Sequence, residues 1–119
     1  MQVVHMESVE KTQLHDPIFT AARVKFQALV PESLEFQINI VHFGRGVRNK
    51  LHCHSTEQVL IVTAGIGIVA TETEARTVGV GDLVRIPAGE NHWHGATDDS
   101  EFSHLYIMPK QSDLTQLES

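Results

Sequence analysis

The sequence predicts an all-β fold in a single domain, on three observations. Turn signals recur at short intervals, strong helical periodicity is hard to find, and the apolar residues gather in short runs of strand formers. A chain of 119 residues suits one compact core, able to bury about two-thirds of its unfolded surface. A small barrel or sandwich is the expected architecture, with its core over about residues 20–109.

The strands follow in order. "EFQINIVHF" at 35–43, "EQVLIVTA" at 57–64, "GIVAT" at 67–71, "LVRIPA" at 83–88 and "FSHLYIM" at 102–108 are rich in β-branched and aromatic residues. Between them stand "FGRG", "AGIG", "GVGD", "PAGEN" and "TDDS", which supply the Gly, Asp and Asn of tight turns. Asp82, after Gly81, belongs to such a turn. Residues 1–20 and the tail "KQSDLTQLES" are polar and weakly patterned, so they are expected to be arms or frayed ends. Alternation puts Phe36, Ile38 and Ile40 on one face and Val41 and Phe43 on the other, and 59–62 is apolar on both faces too. A small barrel with two apolar faces is expected to pair as a homodimer.

Charge and composition exclude several classes. A formal charge of −6 with nine Lys plus Arg argues against a nucleic-acid surface, which needs clustered cations. The longest nearly apolar run, 59–70, is interrupted by Thr63, Gly65 and Gly67 and falls short of the roughly 20 residues of a membrane span. No charged start, apolar stretch and small-residue cleavage site is present at the N-terminus, so the expected location is cytoplasmic. The single Cys53 excludes an intramolecular disulfide. Its parity faces it outward, as a small apolar filler. The partner these features favour is a small neutral or polar molecule.

The histidines carry the chemistry. His52 and His54 are two apart, so an extended strand sends both imidazoles from one face. Gln58 returns its side chain to that face if the chain kinks at Ser55 and Thr56. In "PAGENHWHGA", His92 and His94 again share a face, and Trp93 between them faces outward, where an aromatic suits a subunit contact. Several nitrogens on rigid strands aimed into a barrel suit a metal ion of hard-to-borderline type. His5, His15 and His42 lack such framing and read as surface residues.

Both pairs sit in longer patterns. The first runs Gly46, five residues, "HCH", three residues, Gln58, six residues, Gly65; the second runs Gly81, five residues, Pro87, Ala88, Gly89, two residues, His92, three residues, Ala96. These stretches resemble the paired motifs of the cupin superfamily, over about residues 35–108. The resemblance implies a single-domain cupin, a double-stranded β-helix of jelly-roll type, with one divalent ion held by His52, His54, Gln58 and His92. Two positions depart from the family pattern: Gln58 stands where glutamate is usual, and Ala96 where the second motif often ends in asparagine.

The amide at Gln58 bears on the chemistry. Three neutral imidazoles and a carboxylate leave about +1 on a divalent ion, whereas an amide in place of the carboxylate leaves about +2. A stronger Lewis acid favours elimination, addition or isomerisation at carbon, without excluding oxygen activation. "QVLIVTAGIG", "PAGENHWHGA" and "SHLYI" together resemble the bacterial manganese-dependent cupin hydroxynitrile lyases. That resemblance implies cleavage of a cyanohydrin to a carbonyl compound and cyanide, with Mn²⁺ as the ion; Fe²⁺, Ni²⁺ and Zn²⁺ also suit imidazole. The alternatives are a cupin dioxygenase acting on a small organic substrate and a non-catalytic cupin that binds a small ligand or metal.

The remaining site residues follow from parity. His94 approaches the cavity without coordinating and is placed to hydrogen-bond substrate. His104, on a strand returning across the barrel, is the expected general base, since an ordinary histidine pKa of about 6.5 suits proton transfer at neutral pH. Its other reading is an imidazole bonded to backbone. Asn39 and Val41 share a face with Phe43, and in the resembling lyases the corresponding strand lines the pocket; Tyr106 shares parity with His104, and Met108 is placed to close the floor. The plainer readings are a solvent-facing amide for Asn39, core packing for Val41 and Met108, and a structural hydrogen bond for Tyr106.

Overall fold

The computed structural model describes residues 1–119 and is almost entirely β. A single 3-10 turn at Met6–Ser8 precedes ten strands: β1 (Thr12–Gln13), β2 (Val24–Ala28), β3 (Phe36–Phe43), β4 (His52–His54), β5 (Gln58–Thr71), β6 (Ala75–Gly79), β7 (Leu83–Ile86), β8 (His92–Ala96), β9 (Phe102–Pro109) and β10 (Leu114–Gln116). All pairings between them are antiparallel. The path β1-β2-β3-β9-β5-β8-β4-β10, with β6 and β7 also on β5, curls into a half-barrel around one interior. The all-β class is as expected.

β5 makes this curl possible. Its first half pairs with β7 and β9, and its second half with β6 and β8, so one strand belongs to both walls. The passage lies at "AGIG", where the sequence suggests a turn between two strands; the structure instead has one strand of 14 residues with a bulge between Val62 and Ala64. A bulge adds twist and redirects a strand without ending it. Gly65 follows with φ +71°, and a Cβ there would stand 1.8 Å from the Glu101 carbonyl oxygen. Glycine is therefore required twice, by backbone conformation and by space.

The core sits at this bend. Val24, Val41, Phe43, Val47, Val62, Ala96 and Phe102 form the buried apolar cluster. Phe43 and Phe102 stack with ring centroids 5.9 Å apart. Their packing closes one end of the barrel, and the histidine-bearing strands surround the space beyond it.

Several strands carry no sequence signal. β6 is half-buried to exposed along its length and β10 is fully exposed, so neither shows apolar alternation. The polar tail is not frayed: Leu114, Thr115 and Gln116 pair with His54, Cys53 and His52. The N-terminal arm is likewise attached, through β1 on β2 and through buried Ile18. Backbone pairing anchors both segments, and the side-chain pattern does not record it.

Candidate metal centre and cavity

The first histidine pair lies on β4 and the second on β8, and the register sets His52 opposite His92. Ring centroids are 4.3 Å apart for His52 and His92, 5.0 Å for His52 and His54, and 5.6 Å for His54 and His92. One nitrogen from each of the three lies within 4.8 Å of the others, the spacing of a shared cation. Gly89 ties the two motifs together: its φ of +79° turns the chain so that its N–H donates to the His54 carbonyl at 2.9 Å.

Local hydrogen bonds orient the rings. His52 Nδ1 donates to the Lys50 carbonyl at 2.6 Å and His92 Nδ1 to the Glu90 carbonyl at 2.9 Å. Each contact fixes a tautomer with an unprotonated Nε2, the arrangement of metal-binding imidazoles. Burial first of all, together with neighbouring histidines, lowers the pKa of His52, His54 and His92 to about 4. All three are neutral at pH 7 and keep a lone pair for a cation.

Gln58, the first residue of β5, turns inward after the bend at Ser55 and Thr56 and is 4 % exposed. His92 Nε2, both ring nitrogens of His54 and Gln58 Oε1 are buried with no hydrogen-bond partner. A buried acceptor left unsatisfied costs about 1–3 kcal/mol. A divalent cation bound by acceptors of this kind removes that cost, so the residues present fit a metal ion.

Beside this group lies a cavity of about 290 Å³, lined by His52, His54 and Gln58 and also by His94, His104, Tyr106, Val41 and Met108. His94 is buried outside the three-histidine group, with its Nδ1 3.1 Å from His104 Nε2. Its backbone is clamped by Asn49, whose Oδ1 accepts the His94 N–H at 2.8 Å and whose own N–H donates to the His94 carbonyl at 3.0 Å. His94 is held well below the usual histidine range, by burial first and then by its histidine neighbours.

His104 departs from expectation. Its position on β9 brings it to the cavity, but burial, only partly opposed by the Leu105 backbone, lowers its pKa to about 3. The ordinary value assumed for a solvent-exposed base does not apply, because a charged imidazole has no water here. The pair with His94 shares one hydrogen between its facing nitrogens. Asn49 Nδ2 lies 3.4 Å from both His94 ring nitrogens, so of the two outer nitrogens His104 Nδ1 is the one without a partner.

Asn39 also differs, since it lies outside the cavity lining. Its Nδ2 donates to Tyr106 Oη at 2.8 Å, and Tyr106, with its pKa raised by burial, lines the cavity as a neutral phenol. Asn39 thus acts through the tyrosine. Gln37, two residues earlier on the same face, does line the cavity and was within reach of the same alternation argument. Asn49 and the arm and tail residues Ile18, Phe19 and Leu114 also line it, and no local pattern announces them.

His5, His15, His42, Trp93, Cys53 and Asp82 lie away from this cavity. Trp93 faces outward and is half-buried, with the Arg48 guanidinium 4.8 Å above its ring. Cys53 is also half-buried on the outer side, in register with Thr115. Asp82 closes its turn by accepting the Gly79 N–H at 2.8 Å. His5 and His15 are exposed. His42 is not a free surface residue; it is half-buried and bonded through both ring nitrogens, to Ser103 and Gln27.

The cavity is close to neutral. Asp16 is the one carboxylate in its lining and no Lys or Arg lines it, while Ile18, Phe19, Phe26 and Leu114 give it an apolar side. It suits a small uncharged molecule with an organic group on one side and a polar group toward the histidines.

Comparison with known proteins agrees with this geometry. The family model described as a cupin domain matches residues 39–108. An (R)-mandelonitrile lyase of Granulicella tundricola is 41% identical over 71 residues, which cover 59% of this chain and 54% of that protein. The match therefore spans about half the length of that relative. A cupin-like protein of Thermotoga maritima superposes with a TM-score of 0.85 at 32% identity, over 94% of this chain and 89% of its own. A polyketide cyclase of Streptomyces resistomycificus superposes with a TM-score of 0.88 at 18% identity, over 100% and 87%, which is a likeness of fold. No helix is long and apolar enough to cross a membrane.

Proposed function

The chain belongs to the cupin family, and from that premise we propose that it is a metal-dependent lyase of the hydroxynitrile lyase type, splitting a neutral cyanohydrin into a carbonyl compound and cyanide. The observation that carries this reading is the wholly neutral donor set, with partnerless acceptors on His54, Gln58 and His92, beside a cavity that no Lys or Arg lines. The partial relative named for mandelonitrile lyase supports the same reaction class. The ion we propose is Mn²⁺, held by His52, His54, Gln58 and His92; when bound it supplies Lewis acidity toward a hydroxyl oxygen.

The chain's own residues do the rest. The apolar side formed by Ile18, Phe19 and Phe26 takes the organic group and excludes water. His104 Nδ1, left without a partner while Nε2 faces His94, takes the hydroxyl proton as the bond between carbon and cyanide breaks. The same nitrogen then gives that proton to the departing cyanide, because burial leaves the His104 ring little affinity for charge. Tyr106 accepts from Asn39 and donates to Gln37 Oε1 at 3.5 Å, which holds its phenol at the cavity wall.

The test is cleavage of mandelonitrile by the manganese-loaded protein. Benzaldehyde should form faster than in buffer with free metal, without consumption of oxygen, and His104→Ala should slow it by about a hundredfold or more. Oxygen uptake with a catechol, flavonol or diketone, alongside silence on cyanohydrins, would make the protein a dioxygenase. Absence of any turnover would leave a binding protein.

We also propose a homodimer in the cytoplasm, formed through the outer face of β3, β9 and β5. Ile38, Val59, Ile61, Leu105 and Ile107 are only half-buried there, and Leu83 at the margin is 62% exposed. A monomer in light scattering at micromolar concentration would contradict the dimer.

A further inference from the structure

On the outer side of the sheet, away from the histidine cavity, a second polar cluster lies between β2, β3 and β9. His42 and Ser103 are opposite one another in register, and Ser103 Oγ is 2.6 Å from His42 Nδ1. His42 Nε2 is 2.7 Å from Gln27 Oε1. Gln27, only 2% exposed, has its amide nitrogen committed twice, to the Met6 carbonyl at 3.0 Å and the Val9 carbonyl at 2.8 Å. Its oxygen must therefore face His42 and accept the Nε2–H.

That assignment fixes the tautomer. With the proton on Nε2, Nδ1 carries the lone pair and accepts the Ser103 hydroxyl hydrogen. A hydroxyl bonded to a base whose far nitrogen is held by a third group is the arrangement of an activated nucleophile. Burial, and then Lys11 and Lys25, lower the His42 pKa and keep it an unprotonated base at neutral pH. Ser103 and His42 open into a groove of about 340 Å³ whose lining carries three cations, Lys11, Arg23 and Lys25, and one carboxylate, Glu101. On a chain of net charge −6 this is a local excess of positive charge, suited to a phosphoryl group.

We propose that Ser103 is an acylation site, activated by His42, that accepts the acyl group of a small acyl phosphate bound in this cationic groove. Ser103 Oγ forms the new bond to the acyl carbon, and the bond from that carbon to the phosphate oxygen breaks. The hydroxyl proton moves to His42 Nδ1 and leaves to solvent. Inorganic phosphate departs with the electron pair, and an O-acyl serine remains. No oxidant or further reactant is needed.

The full-length protein incubated with acetyl phosphate tests this by peptide mass spectrometry. The expected result is an acetyl ester on Ser103 that alkaline hydroxylamine removes, in contrast to acetyl-lysine amides, which it leaves. Excess inorganic phosphate should suppress the ester, and His42→Gln should slow its formation by about a hundredfold. The unsubstituted protein supplies the primary readout, so the result does not depend on a variant folding. Ser103→Ala, which removes only a hydroxyl, should lose the hydroxylamine-sensitive mass. Acetylation confined to lysines, or a Ser103 ester formed equally fast in His42→Gln, would overturn the proposal. The cluster would then be a staple for the N-terminal arm.

Discussion

At residue scale, Gln58 is the position on which the chemistry turns. Its Oε1 is buried and partnerless in a cavity shared with His52 and His54, which burial keeps neutral, so the donor set we propose holds nothing that cancels the charge of a bound cation. Gln58→Glu should keep the metal and lower cyanohydrin turnover by about tenfold or more, because about one unit of charge is neutralised at the ion. Metal content and the mandelonitrile rate, measured on the same sample, check this; an unchanged rate would contradict it. Strand parity, a local property, paired His52 with His54 and His92 with His94, while the choice of His52, His54, Gln58 and His92 as ligands came from the cupin resemblance; the structure groups the three histidines. The acidity of His104 was not legible in the sequence. It depends on strands contributed from distant parts of the sequence, which remove water from the ring. Asn49 was hidden for the same reason, since its partner His94 is 45 residues away.

At the scale of elements, β5 organises the site. It presents Gln58 at its start, bends at Gly65, and pairs its second half with the strand that carries His92 and His94. Gly65→Ala should destabilise the protein by about 1–3 kcal/mol through backbone strain alone. The cost should be larger in practice, because the added Cβ meets the Glu101 carbonyl at 1.8 Å. Denaturant unfolding checks it, and a variant of unchanged midpoint would show that the bend does not need glycine. The two glycines of "AGIG" were visible in the sequence as a change of direction. Whether such a change ends a strand or bends it is decided by the strands alongside, here β9 and β8, and so was not legible locally.

At the scale of the molecule, the arm and tail complete what the central strands begin. The tail lies along β4, and Glu118 holds Arg48 at 2.8 Å and accepts the Leu51 N–H at 2.8 Å. The hydrogen bond from Arg48, followed by that from Leu51, lowers the Glu118 pKa to about 2. A depressed carboxylate stabilises the folded state above its ordinary pKa of 4.5, and that contribution fades as pH falls toward about 2. The buried histidines act earlier. Their folded pKa values of about 4 lie below the ordinary 6.5, so the unfolded chain binds protons first and stability falls as pH drops from 6.5 toward 4. Thermal unfolding of the metal-free protein should therefore move to lower temperature across that window, with tail release following at lower pH. A midpoint flat between pH 6.5 and 4 would contradict the buried, neutral state of the histidines. The polarity of the two terminal segments was read correctly, and their attachment was missed because exposed backbone pairing leaves no hydrophobic trace.

The most direct test of the account is elemental analysis of the protein purified without chelator. The convergence of His52, His54 and His92, with Gln58 lining the cavity beside them, predicts about one divalent ion per chain, lost in the double variant His52→Ala, His54→Ala. A native protein that carries no ion after incubation with Mn²⁺, or a double variant that retains full occupancy, would contradict the metal centre and with it the proposed chemistry.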